Sequence, residues 1–180
     1  MYITRYAINS WGVLYLQEVK LYSLVQAGNI LGVNTLAGII RWVAYGFISD
    51  NLFKSRRPPV TLLFGIVEIL SLFVIFFTPP GHPVIITASF IVYGFTLSGL
   101  LAALGRFFAI DIASKKAAGA VMGFIGVFSY VVAAIQDQIS GYLIEMGITM
   151  VEGVRHYDFS NAISFWIGGS VVSMILAATL

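Results

Sequence analysis

The chain has 180 residues, of which 59% are hydrophobic and 10% charged, with no cysteine and a formal charge of +2; its mean hydropathy is +0.93. A water-soluble domain of that balance would expose large apolar patches, so the chain reads as an integral membrane protein. The charge is too small to point to nucleic acid, the lack of cysteine excludes disulfides and thiolate metal sites, and no metal or cofactor site is legible.

The alternating segments of a transmembrane β-barrel are missing, so the spans are expected as helices. Apolar runs long enough to cross a hydrocarbon core of about 30 Å occur at roughly 1–17, 23–48, 59–78, 84–109, 117–143 and 160–180. The expectation is an all-α membrane protein of six transmembrane helices.

The first run, "MYITRYAINSWGVLYL", contains Arg5, and Arg5 with Asn9 interrupts any signal-peptide core. A cation at bilayer depth costs about 2.5–3.5 kcal/mol on insertion scales, so it is normally paired or engaged with a substrate. Arg5, Asn9 and Gly12 share one helical face. This run is short for a span, and "SMILAATL" at the other end has no polar anchor, so both ends read as cut.

In the second run Asn34, Gly38, Arg41 and Tyr45 lie on one face, and "GNILG" is a small-xxx-small packing pair. The loop after it, "GFISDNLFKSRRPP", places Asp50 at a helix C-terminus, where the macrodipole disfavours an anion and a cation such as Arg56 or Arg57 is needed. Two readings stand: a charged latch at the mouth of two helices, or a solvated turn. Glu68 in the third run is read as structural, because its apolar neighbours suggest lipid contact. "TPPGHP" is a tight turn, and both histidines, His82 and His156, fall in expected loops.

The fifth run aligns Tyr130 with Asp137, flanked by Gln136 and Gln138, and contains the small-residue pair of "GAVMG". Polar faces of this kind line a water-filled path or glue helices together, and spacing leaves both open. "EMGITMVEGVRHYDFSN" is expected as the last loop.

Lys54, Arg56, Arg57, Lys115 and Lys116 occupy the second and fourth loops, whereas Lys20 and Arg155 are the bases in the others. The positive-inside rule then puts those two loops and both chain ends in the cytoplasm. The expected location is the inner (plasma) membrane, crossed several times.

"GFISDNLFKSRR", with Gly46, Asp50, Arg56 and Arg57, resembles the loop motif of the major facilitator superfamily. Together with "RYAINSWGVLYLQEVK" and "DIASKKAAGAVMGFIGVFSYV" it resembles the organophosphate:phosphate antiporters. The resemblance covers the chain from about Tyr2 to the last helix and matches the second, C-terminal six-helix half of a twelve-helix protein. It implies residues 1–180 as one such half, with an N-terminal half as partner and no covalent chemistry.

By the same resemblance Arg5, followed by Tyr6, binds substrate phosphate with an arginine of the other half, Tyr130 lines the cavity beside Asn9, and Gly46, Asp50, Arg56 and Arg57 form a conformational gate. A guanidinium is apt for this role, since it stays charged and grips phosphate oxygens with a planar fork of donors. The implied activity is exchange of an organic phosphate, of the sugar-phosphate class, for inorganic phosphate by rocking of two halves. The alternatives are a membrane sensor of hexose phosphate that does not transport, and an inactive split-gene fragment.

Overall fold

The second helix starts on a reciprocal cap: the Gln26 N–H donates to Ser23 Oγ and the Ser23 N–H to Gln26 Oε1. A computed structural model describes residues 2–52, 57–102, 117–151 and 153–178, without the side chains of 40–44, 46, 50, 52, 57, 102, 118 and 151. Among the described residues the helices are α1 (Tyr2–Glu18), α2 (Leu24–Leu52), α3 (Arg57–Phe77), α4 (Pro83–Ala102), α5 (Ala118–Met146) and α6 (Ser160–Ala178). Of these, α3, α4, α5 and α6 are long and apolar enough to cross a membrane.

The chain is mostly helical, and the segment expected as the last loop adds a β-hairpin. It folds back as an antiparallel pair, β1 (Ile148–Val151) with β2 (Val154–Tyr157), in the register Ile148↔Tyr157 to Val151↔Val154. Its strands carry β-branched and aromatic residues, and Gly153 takes a φ of 80° at the turn. The hairpin closes where the Asp158 N–H donates to the Gly147 carbonyl at 3.0 Å. A Cβ on Gly147 would stand 2.2 Å from the Asp158 carbonyl oxygen, so this crossing tolerates no side chain. Asp158 then accepts the N–H and the hydroxyl of Ser160, satisfying a free donor at the start of α6. These bonds hold the Asp158 carboxyl below its ordinary range, so the cap persists above that range and is lost as pH falls through the lowered value.

In the bundle α1 packs against α2, α5 and α6, α4 lies between α2 and α3, and α3 closes onto α6. The approach of α2 to α4 is set by Gly94: a Cβ there would lie 2.2 Å from the Asn34 carbonyl oxygen. At one end of the bundle Tyr15 of α1 meets Phe76 of α3 and Phe159 edge-on, with centroids 5.2 and 5.5 Å away, and Trp166 of α6 packs on both phenylalanines. The Tyr15 hydroxyl donates to the Phe76 carbonyl at 3.1 Å. Lys20, only 3% exposed, donates its ammonium protons to the carbonyls of Phe76 and Thr78. The last carbonyls of a helix carry partial negative charge and lack intrahelical donors, so a buried ammonium there is a cap. Lys20 is thus a base whose place is explained by the end of α3.

Two outcomes follow. Gly94→Ala pushes α2 off α4 and costs about 1–3 kcal/mol, the usual range for overpacking, read as a lower midpoint of thermal unfolding in detergent. Lys20→Met keeps the stem but takes the donor from the Thr78 carbonyl and leaves the Phe76 carbonyl to Tyr15 alone, at about 1–3 kcal/mol, and limited proteolysis near Thr78 should speed up.

Candidate functional site

The depth of Arg5 follows from the bonds of its neighbour. Thr4 of α1 donates to Glu68 Oε1 at 3.2 Å, and Glu68 lies nine residues before the end of α3, about 14 Å down a helix of about 31 Å. Arg5 is therefore level with the middle of α3, while the other end of α1 is tied to the end of α3 through Tyr15 and Lys20. A snorkelling arginine would sit at an end instead.

Arg5 is half-buried, with its guanidinium carbon 5.4 Å from the centroid of the Tyr6 ring. Tyr6 in turn stacks on Tyr2 at 6.5 Å. An aromatic face stabilises a cation less than a charged fork of hydrogen bonds does, so this arrangement leaves Arg5 with more to gain from an oxyanion. Asn9 is exposed on the same helix. Tyr130 on α5 is 71% exposed. Arg5 and Tyr6 are thus brought into contact, whereas Asn9 and Tyr130 stand open on α1 and α5. Of the expected gate, Gly46 and Asp50 lie on the helical backbone of α2 and Arg57 begins α3, but their side chains, and Arg56 altogether, lie outside the described residues, as does the side chain of Arg41.

Several polar residues turn out to join helices. Tyr45 is buried and its hydroxyl pairs with that of Thr61 at 3.1 Å, so it faces α3 rather than a path. Gln136 donates to Ser140 Oγ at 2.7 Å, and the Trp166 indole N–H reaches the same oxygen at 2.8 Å, tying α5 to α6. Others keep buried atoms without a hydrogen-bond partner among the described residues: Trp11 Nε1 on α1, Asn34 Oδ1 on α2, Tyr93 Oη on α4 and Asp137 Oδ1 on α5. These are the groups a water-filled path between helices would satisfy.

Glu68, read from the sequence as structural, is fully buried although its neighbours in the chain suggest lipid contact, and it accepts from Ser170 of α6 at 3.0 Å as well as from Thr4. Thr4, Ser170 and Tyr93 do not stand out in the sequence, because hydroxyl residues are common in membrane helices. The one available signal is Glu68 itself, the single acidic residue in α3.

A cavity of about 410 Å³ beside Tyr2 is lined by Ile3, Phe124, Phe128 and Val132 with Ser129 and Ser173, which is too apolar for a phosphate dianion. Among the described residues no group of histidine, aspartate or glutamate could hold a metal ion.

Residues 1–136 match the model of the Major Facilitator Superfamily. The chain is 34% identical over 146 residues to the glycerol-3-phosphate transporter of Bacillus subtilis, covering 81% of this chain and 33% of that protein. It is 35% identical over 135 residues to the membrane sensor protein UhpC of Salmonella typhimurium, covering 75% and 30%. It is 33% identical over 135 residues to a probable hexose phosphate transport protein of Chlamydia trachomatis, covering 74% and 29%. The chain thus spans about a third of the length of these curated relatives. With the family match extending over three quarters of its residues and its apolar helices built to span a bilayer, the chain belongs to the Major Facilitator Superfamily of membrane transporters, which are not enzymes.

Proposed function

We propose that the chain is the C-terminal six-helix half of a secondary antiporter that exchanges an organic phosphate, of the sugar-phosphate class, for inorganic phosphate. The observation that carries this reading is Arg5 held level with the middle of α3, the depth at which transporters of two repeats bind their substrates. A permanently charged fork of donors at that depth is suited to a phosphate and poorly suited to a neutral sugar. The names of the relatives, a glycerol-3-phosphate transporter and a probable hexose phosphate transport protein, support the same substrate class.

All six helices cross the inner (plasma) membrane in this reading, with both chain ends and the basic second and fourth loops in the cytoplasm. Gly46, Asp50, Arg56 and Arg57 gate the cytoplasmic mouth. Tyr6, Asn9 and Tyr130 complete the wall around Arg5. The partner is an N-terminal six-helix half. Its place is supported by α2 and α5, which leave Leu36, Ile39, Phe124, Val127, Tyr130 and Ile135 exposed. The second reading, a membrane sensor that binds hexose phosphate without transporting it, is favoured by the similarity to UhpC, and the same arginine would serve it.

Arg5→Lys keeps the charge but loses the two parallel hydrogen bonds, so equilibrium binding of a sugar phosphate to the chain joined to an N-terminal half should weaken by roughly ten- to a hundredfold, about 1.5–3 kcal/mol, at unchanged expression. Unchanged affinity would remove Arg5 from the site. In liposomes the joined protein should exchange phosphate for sugar phosphate and the 180 residues alone should not, because one half supplies one wall. Binding without exchange in the joined protein would select the sensor, and robust exchange by the chain alone would overturn the half-transporter.

A further inference from the structure

The fold holds a carboxyl group that the proposed transport site does not use. Glu68 is 0% exposed in the middle of α3, and its Oε1 accepts from the hydroxyls of Thr4 and Ser170, which themselves lie 3.1 Å apart. Its Oε2 is buried with no hydrogen-bond partner among the described residues, and the buried Tyr93 hydroxyl of α4 has none either. An ionised carboxylate with one bare oxygen in an apolar interior costs several kcal/mol, whereas a neutral carboxylic acid needs only an acceptor for its single proton and uses its carbonyl oxygen to accept the two hydroxyls.

The charged and titratable groups on the elements around it are few. From α1 come Arg5, turned onto Tyr6, and Tyr2; from α4 comes Tyr93; and from α2 comes Tyr45, engaged with Thr61. No titratable side chain lies on α6. The side chains of Arg41 and Arg57 and the amino group of Met1 lie outside the described residues.

We propose that Glu68 is a proton-binding site: the carboxyl holds a proton while α1, α3 and α6 are joined, and its release moves the Arg5-bearing end of α1 away from α3. The carboxylate left behind needs water or a cation at the bare Oε2, and the tilt opens the space between α1 and α3 that admits it. The Tyr15 and Lys20 end of α1 stays clamped to α3, so the movement is a tilt of the other end. The effect of this proton on phosphate binding rests on the function proposed above; the proton site itself does not.

The test uses the full chain in lipid nanodiscs, without phosphate, and infrared spectroscopy of the protonated-acid carbonyl stretch. At neutral pH the wild type should show that band, Glu68→Gln should lack it, and an N-terminally acetylated sample should keep it. Ser170→Ala should shift the band to higher frequency, because the carbonyl oxygen loses a donor; this decides the matter even if Glu68→Gln fails to fold. Spin labels at Tyr2→Cys and Leu70→Cys, in a chain with no other cysteine, should move apart as the band titrates away, and stay put when Glu68→Gln is added. A missing band, a band that survives Glu68→Gln, no shift in Ser170→Ala, or titration without a change in distance would each overturn the proposal. None of these readouts involves Arg5 and phosphate, so failure here and failure of the transport reading remain separate results.

Discussion

Everything proposed for this protein depends on how α1 is held against α3. At one end the Tyr15 hydroxyl and the Lys20 ammonium take up the last carbonyls of α3, and an aromatic cluster of Tyr15, Phe76, Phe159 and Trp166 fills the space between α1, α3 and α6. Midway down, Thr4 bonds to Glu68. Two attachments at different heights fix the depth and rotation of a 17-residue helix that carries Arg5, the cation of the proposed site. In a medium without water, partners for helix carbonyls are scarce, so a buried ammonium placed on them is a strong anchor.

The two attachments differ in kind. The aromatic end combines close packing with donors that stay donors, and it has little reason to open. The Glu68 contact is made of hydroxyls on a carboxyl group, and its strength depends on whether that carboxyl carries charge. A helix clamped at one end and conditionally tied in its other half is disposed to tilt, the motion that alternating access requires of the helices around a central site. Some polar groups are paired across helices, as Tyr45 is with Thr61 and Ser140 with Trp166. Others have no hydrogen-bond partner among the described residues: Glu68 Oε2 on α3, and buried atoms of Trp11, Asn34, Tyr93, Gln136 and Asp137 on α1, α2, α4 and α5. In the proposed half-transporter a second half and the water between halves would complete those on α1, α2, α4 and α5.

The hairpin and the tight crossings show where backbone geometry leaves no freedom. Gly94 lets α4 touch the Asn34 backbone of α2, and Gly147 lets the chain turn from α5 past Asp158. In both places the obstacle to a side chain is a carbonyl oxygen, which has no rotamer to yield. Neither of these glycines belongs to the small-xxx-small pairs visible in the sequence. Gly28, Gly32, Gly119 and Gly123 have open space where a Cβ would point, so among the described residues those pairs are not what brings the helices together.

The membrane setting, the family and the presence of a cation in the first apolar run were legible in the amino-acid sequence, because hydropathy over about twenty residues and a charge within it are local properties that no packing can reverse. The segment from Ile148 to Tyr157 carried β-branched residues around a Gly153 turn, but strand pairing is a contact between segments, and read as a line it looked like a loop. The tertiary structure alone decided the depth of Arg5, since that depends on which residue of another helix Thr4 meets, and it placed Glu68, read from the sequence only as structural, at the centre of the bundle. It also sent Tyr45 to the core, although Asn34, Gly38 and Tyr45 share a face by spacing. Periodicity says which residues lie on one side of a helix. Only the neighbouring helices say whether that side meets lipid, water or another carboxyl group.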